Sequence, residues 1–442
     1  MTSKDTSRVS RRTLIRGAGA AAVTGLAGCS SGDGGSGDGG AGDGGSGDGS
    51  GDGGATKTTA QSGSGLDSVT VGYATSLSGP FAVFGETAVH GAELAKQDLE
   101  AEFDIDVEIA TADTEVNPST GLERMKRLVV EDGVDVTMGG VSSSVALKMG
   151  TWASDNGVPY MATGAHSDLL TGEQCAENMY RVTCSNSMLA NTIGQQMAET
   201  ADTWFLIYSD YTWGQTAQKA VTNILEENGK TVVGKTAAPF PNDDYTQYLN
   251  EASSSDAVGL GLLVAGLDMR LATKQLRNKG IQEDMKLAMH QIEDVVYWGL
   301  SKEATEVMDV GGQVWGPGSP NGGEFAKRVA ETGETDPFVR HYLGYAGVDQ
   351  MVRAAVRADS KDAADIRAEL EGHTVDSPIN DIKGGEMHWR AEDHQLVQPT
   401  YAVKPRAVDE MSDDPYKQWF ETTETFAGAD VARSPSETGC NL

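Results

Sequence analysis

The sequence predicts an α/β protein built as two doubly wound, Rossmann-like lobes, and three observations carry that expectation. Strand-like and helix-like stretches alternate from residue 66 onward, with connections long enough for crossover helices. The alternation restarts near Ser185 as a second series. Several strands also end in turns of glycine and hydroxyl residues just where a helix begins, the clearest being residues 133–150, GVDVTMGGVSSSVALKMG. There Val134, Val136 and Met138 alternate as a short buried strand, Gly139 and Gly140 break it, and Ser142, Ser143 and Ser144 open the next helix. First-turn N–H groups lack partners inside their own helix, and the macrodipole adds partial positive charge, so this turn is a seat for a carboxylate. Ser142 or Ser143 serving only as an N-cap is the plainer alternative.

In chain order, residues 69–74 read as a strand and 75–84 as a loop bearing Gly and Pro. Residues 85–102 read as a helix with Ala88, Ala92, Ala95 and Leu99 on one face. Residues 105–112 form the second strand, Asn117-Pro118-Ser119 caps a helix over 120–131, and the serine turn follows. A helix ending at 156 and strands at 158–162 and 179–183 complete the first series. The second has strands at 204–208, 231–235, 257–264 and 286–289, with helices at 214–227, 245–253 and 268–279. Parallel sheets hold ligands beyond the carboxyl ends of their strands, which points to the loops at 76–85, 139–144, 163–168, 209–214, 265–268 and 290–294.

A chain of 442 residues with 38% hydrophobic side chains can fill two cores of ordinary size. The formal charge of −31 is spread along the chain, as in proteins from organisms living in very high salt, where short screening lengths tame self-repulsion. Such a surface repels nucleic acid and anionic membranes. At the N-terminus, Ser10-Arg11-Arg12-Thr13-Leu14-Ile15 before a mild apolar run resembles a twin-arginine export signal, and Leu26-Ala27-Gly28-Cys29 a lipoprotein cleavage box that makes Cys29 the lipidated residue. Residues 30–65 are repeats of Gly, Asp and Ser, the composition of a flexible tether without a core. No later segment has the apolar length of a membrane span, so the membrane is expected to be met through the lipid anchor alone.

The run Gly72-Tyr73-Ala74-Thr75-Ser76-Leu77-Ser78-Gly79-Pro80, then Gly85, then Gly91-Ala92-Glu93-Leu94-Ala95 resembles the opening of branched-chain-amino-acid-type solute-binding proteins of ABC transporters. The resemblance continues through residues 113–118, 140–144 and 157–160, returns at 208–214 and 275–280, and again at Asp393-His394-Gln395 with Tyr401 downstream. It implies the type I periplasmic binding fold, in which two lobes joined by a three-crossing hinge close over a small ligand, and with the acidic composition it points to a haloarchaeal lipoprotein. The crossings would fall near Cys184, at 315–318 and near Gln395. Residues 1–29 would be the signal and 30–65 the tether; 66–184 with 317–394 would form the first lobe, and 185–316 with 395–410 the second. The tail at 411–442 has no place in this scheme. The implied partners are a small-molecule ligand and ABC permease subunits; no cofactor and no second copy are expected.

By the same resemblance, Ser142, with Ser143 beside it, would hold a ligand carboxylate. Gly164, Ala165 and His166 would contact the ligand's polar end, His166 standing where the family has threonine. Tyr211 and Trp213 would cover the ligand from the second lobe and Phe84 from the first. The acid that pairs with an amino-acid ammonium falls at Gln291 or, with a shift of two, at Glu293. A glutamate there suits an ammonium, whereas a glutamine suits an amide, a urea-like compound or a simple carboxylate. Glu293 and Asp294 as helix-capping acids are the competing explanation.

Other chemistry finds little footing. Seven histidines show no HExxH and no Cys partner at metal spacing, and no GxxxxGK[ST] is present, so neither a metal site nor a phosphate loop is expected. Cys175 and Cys184, nine residues apart around a turn and strand, could form a disulfide in an oxidising compartment or remain two thiols, leaving Cys440 over. The sequence therefore reads as a lipid-anchored, extracytoplasmic solute-binding protein rather than an enzyme, for a branched-chain or other amino acid, an amide or a small carboxylate. A ligand-sensing module is the first alternative and a surface hydrolase the second.

Overall fold

The structure is a computed structural model and describes residues 65–413 and 416–442, so Cys29, the signal and the tether read from the sequence lie outside the described residues, save Gly65. Two sheets organise it. The first joins β1 (Ser68–Thr75), β2 (Asp106–Asp113), β3 (Val136–Gly139), β4 (Tyr160–Ala162) and β5 (Met179–Arg181) in the order β2-β1-β3-β4-β5, all parallel. The second contains β6 (Thr203–Ser209), β7 (Thr231–Ala238), β8 (Gly259–Leu263), β9 (Lys286–Met289) and β10 (Val310–Gln313). A short antiparallel ribbon of β11 (His388–Trp389) and β12 (Leu396–Val397) precedes β13 (Thr400–Pro405) and β14 (Phe420–Phe426), which add antiparallel to the second sheet's edge. The second sheet runs β14-β13-β10-β9-β8-β6-β7. Helices between successive parallel strands, except between β4 and β5 where a loop connects them, make both sheets doubly wound, as the sequence predicts.

Close packing, rather than turn chemistry, explains several glycines. The helix expected to begin at Gly85 begins earlier and spans Ala82–Phe103. A Cβ on Gly85 would lie 1.9 Å from the Ser76 carbonyl oxygen, so the residue is glycine because the loop backbone presses on the helix. The same helix meets Val339–Ala358 face to face, where Cβ atoms on Gly91 and Gly344 would lie 2.0 Å from the His341 oxygen and 1.8 Å from the Ala88 oxygen. That contact docks a late segment of the chain on the five-stranded half. The helix capped by Asn117 starts at Pro118, whose missing N–H is harmless in a first turn, and Asn117 Oδ1 accepts from Ser119 N and Thr120 N at 2.8 and 3.1 Å.

The chain passes between the halves after β5, after β10 and after β12, and buried polar bonds stitch the passages together. Arg181 Nε donates to Gln395 Oε1 at 2.7 Å, and Gln395 Nε2 donates to the Thr183 carbonyl at 2.9 Å. Gln398 Nε2 donates to the Val182 carbonyl while its Oε1 accepts from Tyr342 Oη at 2.9 Å. Among the described residues no helix is long and apolar enough to cross a membrane.

The cysteines correct the expectation of a Cys175–Cys184 disulfide. Cys175 is bonded to Cys440, 265 residues away, and Cys184 is a free thiol with no exposure to solvent. Cys184 lies at a passage between the halves with its side chain in the core, where burial pushes the thiol up to about 11. Cys175 sits on the half-buried loop between β4 and β5, which the tail reaches. No local pattern marks a partner so distant.

Candidate ligand-binding site

The carboxyl ends of the parallel strands of both halves flank a cleft with about 430 Å³ of space not filled by atoms, the solvent at its open side included. Phe81, Phe84, Val141, Gly164, His166 and Arg340 line it from the five-stranded half. From the other half come Tyr211, Trp213, residues 264–266, Met269, Gln291, Glu293, Val296 and Tyr297. Of the residues singled out in the sequence, Phe84, Gly164, His166, Tyr211, Trp213, Gln291 and Glu293 thus meet around one space. Ser142, Ser143 and Ala165 are buried and do not line it. Ser142 is the N-cap residue of helix Ser143–Asp155 but makes no side-chain cap bond, Ser143 Oγ accepts from Ser167 N at 3.2 Å, and Ala165 packs in the core.

Two helix N-termini meet beside the cleft. Helix Ser143–Asp155 and helix Thr212–Glu227 face one another from opposite halves, with Ser144 Oγ 2.8 Å from Thr212 Oγ1, and neither has a side-chain cap bond. Their unpaired first-turn N–H groups and dipoles bring positive potential to this edge.

The polar end of the cleft is a chain of committed partners. His166 Nδ1 lies 2.9 Å from the Cys184 carbonyl, which can only accept, so that nitrogen carries the hydrogen and Nε2 accepts from Gln291 Nε2 at 3.0 Å. Burial, aided by the Arg340 and Arg181 charges, holds His166 well below its ordinary pKa, consistent with a neutral ring. Gln291 Nε2 also donates to Glu293 Oε1 at 2.8 Å, leaving the amide oxygen as the acceptor it can offer. Arg340 grips both oxygens of Glu293, with Nε on Oε2 at 2.9 Å and Nη2 on Oε1, while Nη1 donates to the Gly164 carbonyl at 3.0 Å. One hydrogen on each terminal nitrogen of Arg340 is left without an acceptor among the described residues. The two side chains are 4% and 8% exposed, and each comes from a different half, so this ion pair spans the cleft.

An aromatic band forms the remaining wall. Phe81 stacks on Phe240 at 4.9 Å, Phe240 on Tyr211 at 5.1 Å and Tyr211 on Trp213 at 6.2 Å, while the Arg340 guanidinium lies 5.0 Å from the Phe84 ring centre. His290 is fully buried behind Trp213, its Nε2 donating to Asn186 Oδ1 at 3.0 Å, and burial holds it down to about 3. Asp294, beside Glu293, is pushed up to about 8 by burial and accepts from Gln313 Nε2 at 3.0 Å. Among the described residues no group of three His, Cys, Asp or Glu side chains is placed to hold a metal ion.

Sequence reasoning missed Arg340, Phe81, Met269 and Tyr297. Arg340 left one trace, a charged residue inside the apolar helical spacing that begins at Phe338, but its partners lie 47 and 176 residues away.

The site has the chemistry of a capture cleft, with donors and aromatic surface but no unmatched carboxylate. Comparison with known proteins agrees with that architecture. The chain is 24% identical over 350 residues to Leu/Ile/Val-binding protein homolog 2 of Brucella abortus, covering 71% of this chain and 84% of that protein. It superposes on a periplasmic binding protein from Burkholderia mallei with a TM-score of 0.78 and 25% identity, over 85% of this chain and 99% of that one. A solute-binding protein of an ABC transporter from Rhodopseudomonas palustris, solved in complex with 3,4-dihydroxy benzoic acid, gives a TM-score of 0.71 at 18% identity, over 84% of this chain and 100% of that one. Residues 68–409 match the family described as periplasmic binding protein, and the chain belongs to that family.

Proposed function

We propose that this protein captures a small carboxylate with an apolar or aromatic body, one that carries no ammonium group, and delivers it to an ABC permease. The observation behind this reading is the Arg340–Glu293 pair: the acid that would face an ammonium already has both oxygens engaged by a guanidinium. A zwitterion would bring its positive charge against Arg340. A carboxylate instead meets the remaining Arg340 hydrogens and the two helix N-termini, and its flat or branched body rests on the aromatic band. The halves close over it, shifting an open–closed equilibrium. The aromatic acid in the Rhodopseudomonas protein supports this class.

A second reading takes the same cleft for a branched-chain amino acid, with Glu293 released by Arg340 to face the ammonium. It is favoured by the presence of Glu293 in the cleft wall and by the name of the Brucella relative. The reading further places the domain outside the membrane on a lipid at Cys29 and the tether that follows, as a monomer.

Thermal unfolding of the full chain in high salt, with benzoate, 4-methylpentanoate, leucine and urea, separates the two. A ligand at about a hundred times its Kd adds about 2.7 kcal/mol of stability. Stabilisation by the carboxylates and not by leucine supports the first reading. Stabilisation by leucine that disappears in Glu293→Gln replaces it with the second.

A further inference from the structure

The tail that the sequence left unplaced joins the two halves. From β14, the outer strand of the seven-stranded sheet, the chain enters helix Gly428–Val431, which packs on helix Asn186–Thr200 of the same half. Asn191 Nδ2 fixes it there by donating to the Val431 carbonyl at 2.8 Å. Two residues later the surroundings belong to the other half: Arg390 Nη1 donates to the Arg433 carbonyl at 2.7 Å, and the Arg433 guanidinium lies 3.8 Å from Asp168 Oδ1. The tail then lies against the loop between β4 and β5, where a Cβ on Gly172 would stand 2.7 Å from the Thr438 oxygen, and ends in the Cys175–Cys440 bond. Ala432 alone separates the residue held by one half from the residue held by the other.

We propose that the Cys175–Cys440 bond makes the C-terminal tail a fourth, redox-dependent connection between the halves that restrains how far they open. The inference rests on the reading that the halves open and close around a ligand. Beyond Arg433, the hydrogen bonds among the described residues stay inside the tail, such as Ser434 N and Oγ to Glu437 Oε2 at 3.0 and 2.7 Å. Apart from the packing of Thr438 on Gly172 and of Gly439 on Glu173, the disulfide is therefore what holds residues 434–440 to the five-stranded half, and it is their covalent tie to it. With it intact, any rotation of the halves must be absorbed at Ala432 beside the three other passages. A dithiol breaks the S–S bond by exchange: Cys175 and Cys440 gain the two hydrogens and electrons as thiols, and the reductant closes to its own disulfide. Both cysteines are partly exposed and within reach of such a reagent, whereas Cys184 is sealed in the core.

Hydrogen exchange read by mass spectrometry on the full ligand-free chain tests this, comparing the oxidised protein, the protein reduced with dithiothreitol, and the variant Cys175→Ser/Cys440→Ser. Reduction and the double substitution are each expected to speed exchange about fivefold at residues 143–147 and 211–215, where the halves meet, with β8 and β9 unchanged. No change there, a rise confined to 428–442, or a rise shared equally by β8 and β9 overturns the proposal. Adding benzoate to the oxidised protein keeps the two ideas apart: loss of benzoate protection at those segments counts against carboxylate capture and leaves the effect of reduction standing.

Discussion

The cleft and the hinge both bury basic side chains, and they treat them differently. In the cleft, Arg340 faces a carboxylate from the opposite half. In the hinge, Arg181 bonds the Ser167 carbonyl, Thr171 Oγ1 and Gln395 Oε1, and Lys383 bonds the Val314 carbonyl under the ring of Tyr401 at 4.5 Å, with no carboxylate among the described residues touching either. A cation bound to neutral oxygens ties backbone passages together and has nothing to exchange for. A cation bound to a carboxylate across a cleft can trade that partner for a ligand's carboxylate, or lose it to water when the halves part. Hinge charges should therefore govern stability, and cleft charges binding.

The largest effect expected from this contrast is at Arg181. Arg181→Met relieves a buried charge but removes three hydrogen bonds from a guanidinium, and a hydrogen bond to a charged group is worth about 1.5–3 kcal/mol. The Ser167 carbonyl keeps Leu170 N and Gln395 Oε1 keeps Thr171 Oγ1, at 3.3 and 3.4 Å, while Thr171 Oγ1 loses its donor. A net loss of about 3 kcal/mol in urea unfolding is expected, with the ligand preference of the folded protein unchanged. A loss below 1 kcal/mol would abolish the distinction between the two regions.

Lys383 sharpens the contrast through pH. Burial holds its amine down to about 7, below the value of about 10.4 for an exposed lysine. Between those values the unfolded chain binds a proton that the folded chain does not, so this lysine makes stability rise with pH from 7 toward 10, by at most about 1.4 kcal/mol per unit, and adds no slope below 7. Facing it are the Cys184 thiol, pushed up to about 11, and the Tyr342 and Tyr401 hydroxyls, pushed higher still, all by burial, so they keep their protons through most of that window. The difference in stability between the wild type and Lys383→Met should carry this slope. Parallel pH profiles of the two proteins would show that the amine is charged in place.

At Arg340 the balance tips to binding. Arg340→Gln removes the donor fork and is expected to weaken carboxylate affinity about a hundredfold, equivalent to about 2.7 kcal/mol, by titration calorimetry. Its stability cost should be smaller than that of Arg181→Met, because water entering a parted cleft can solvate Glu293. If stability falls as far as in Arg181→Met while affinity holds, Arg340 belongs with the hinge cations.

How much of this the sequence could show follows the range of the interactions. Strands such as β9 were legible at their ends because a short apolar run between polar residues is a local signal, and Asn117 announced its helix through a bond only two residues long. Most of the cleft wall was legible because loops at strand ends gather there whatever their side chains. Ser142 drew the eye for sound reasons of helix chemistry, yet it is Val141 that reaches the cleft. Arg340 and the Cys440 bond were not legible, since each depends on a segment that returns from far along the chain, and no periodicity encodes which partner it will find.

The smallest expected effect concerns the choice that the sequence left open between Gln291 and Glu293. Both reach the cleft, and they act together: the amide nitrogen of Gln291 joins His166 Nε2 to Glu293 Oε1, so glutamine holds the acid in the orientation that Arg340 grips. Gln291→Leu keeps the bulk but removes both bonds, leaving His166 Nε2 without its donor and Glu293 freer to leave Arg340. Carboxylate affinity should then fall about tenfold, about 1.4 kcal/mol, while leucine, if it binds at all, should gain. A matching loss for both ligand classes would mean that Gln291 contacts ligand directly and plays no part in setting which charge the cleft accepts.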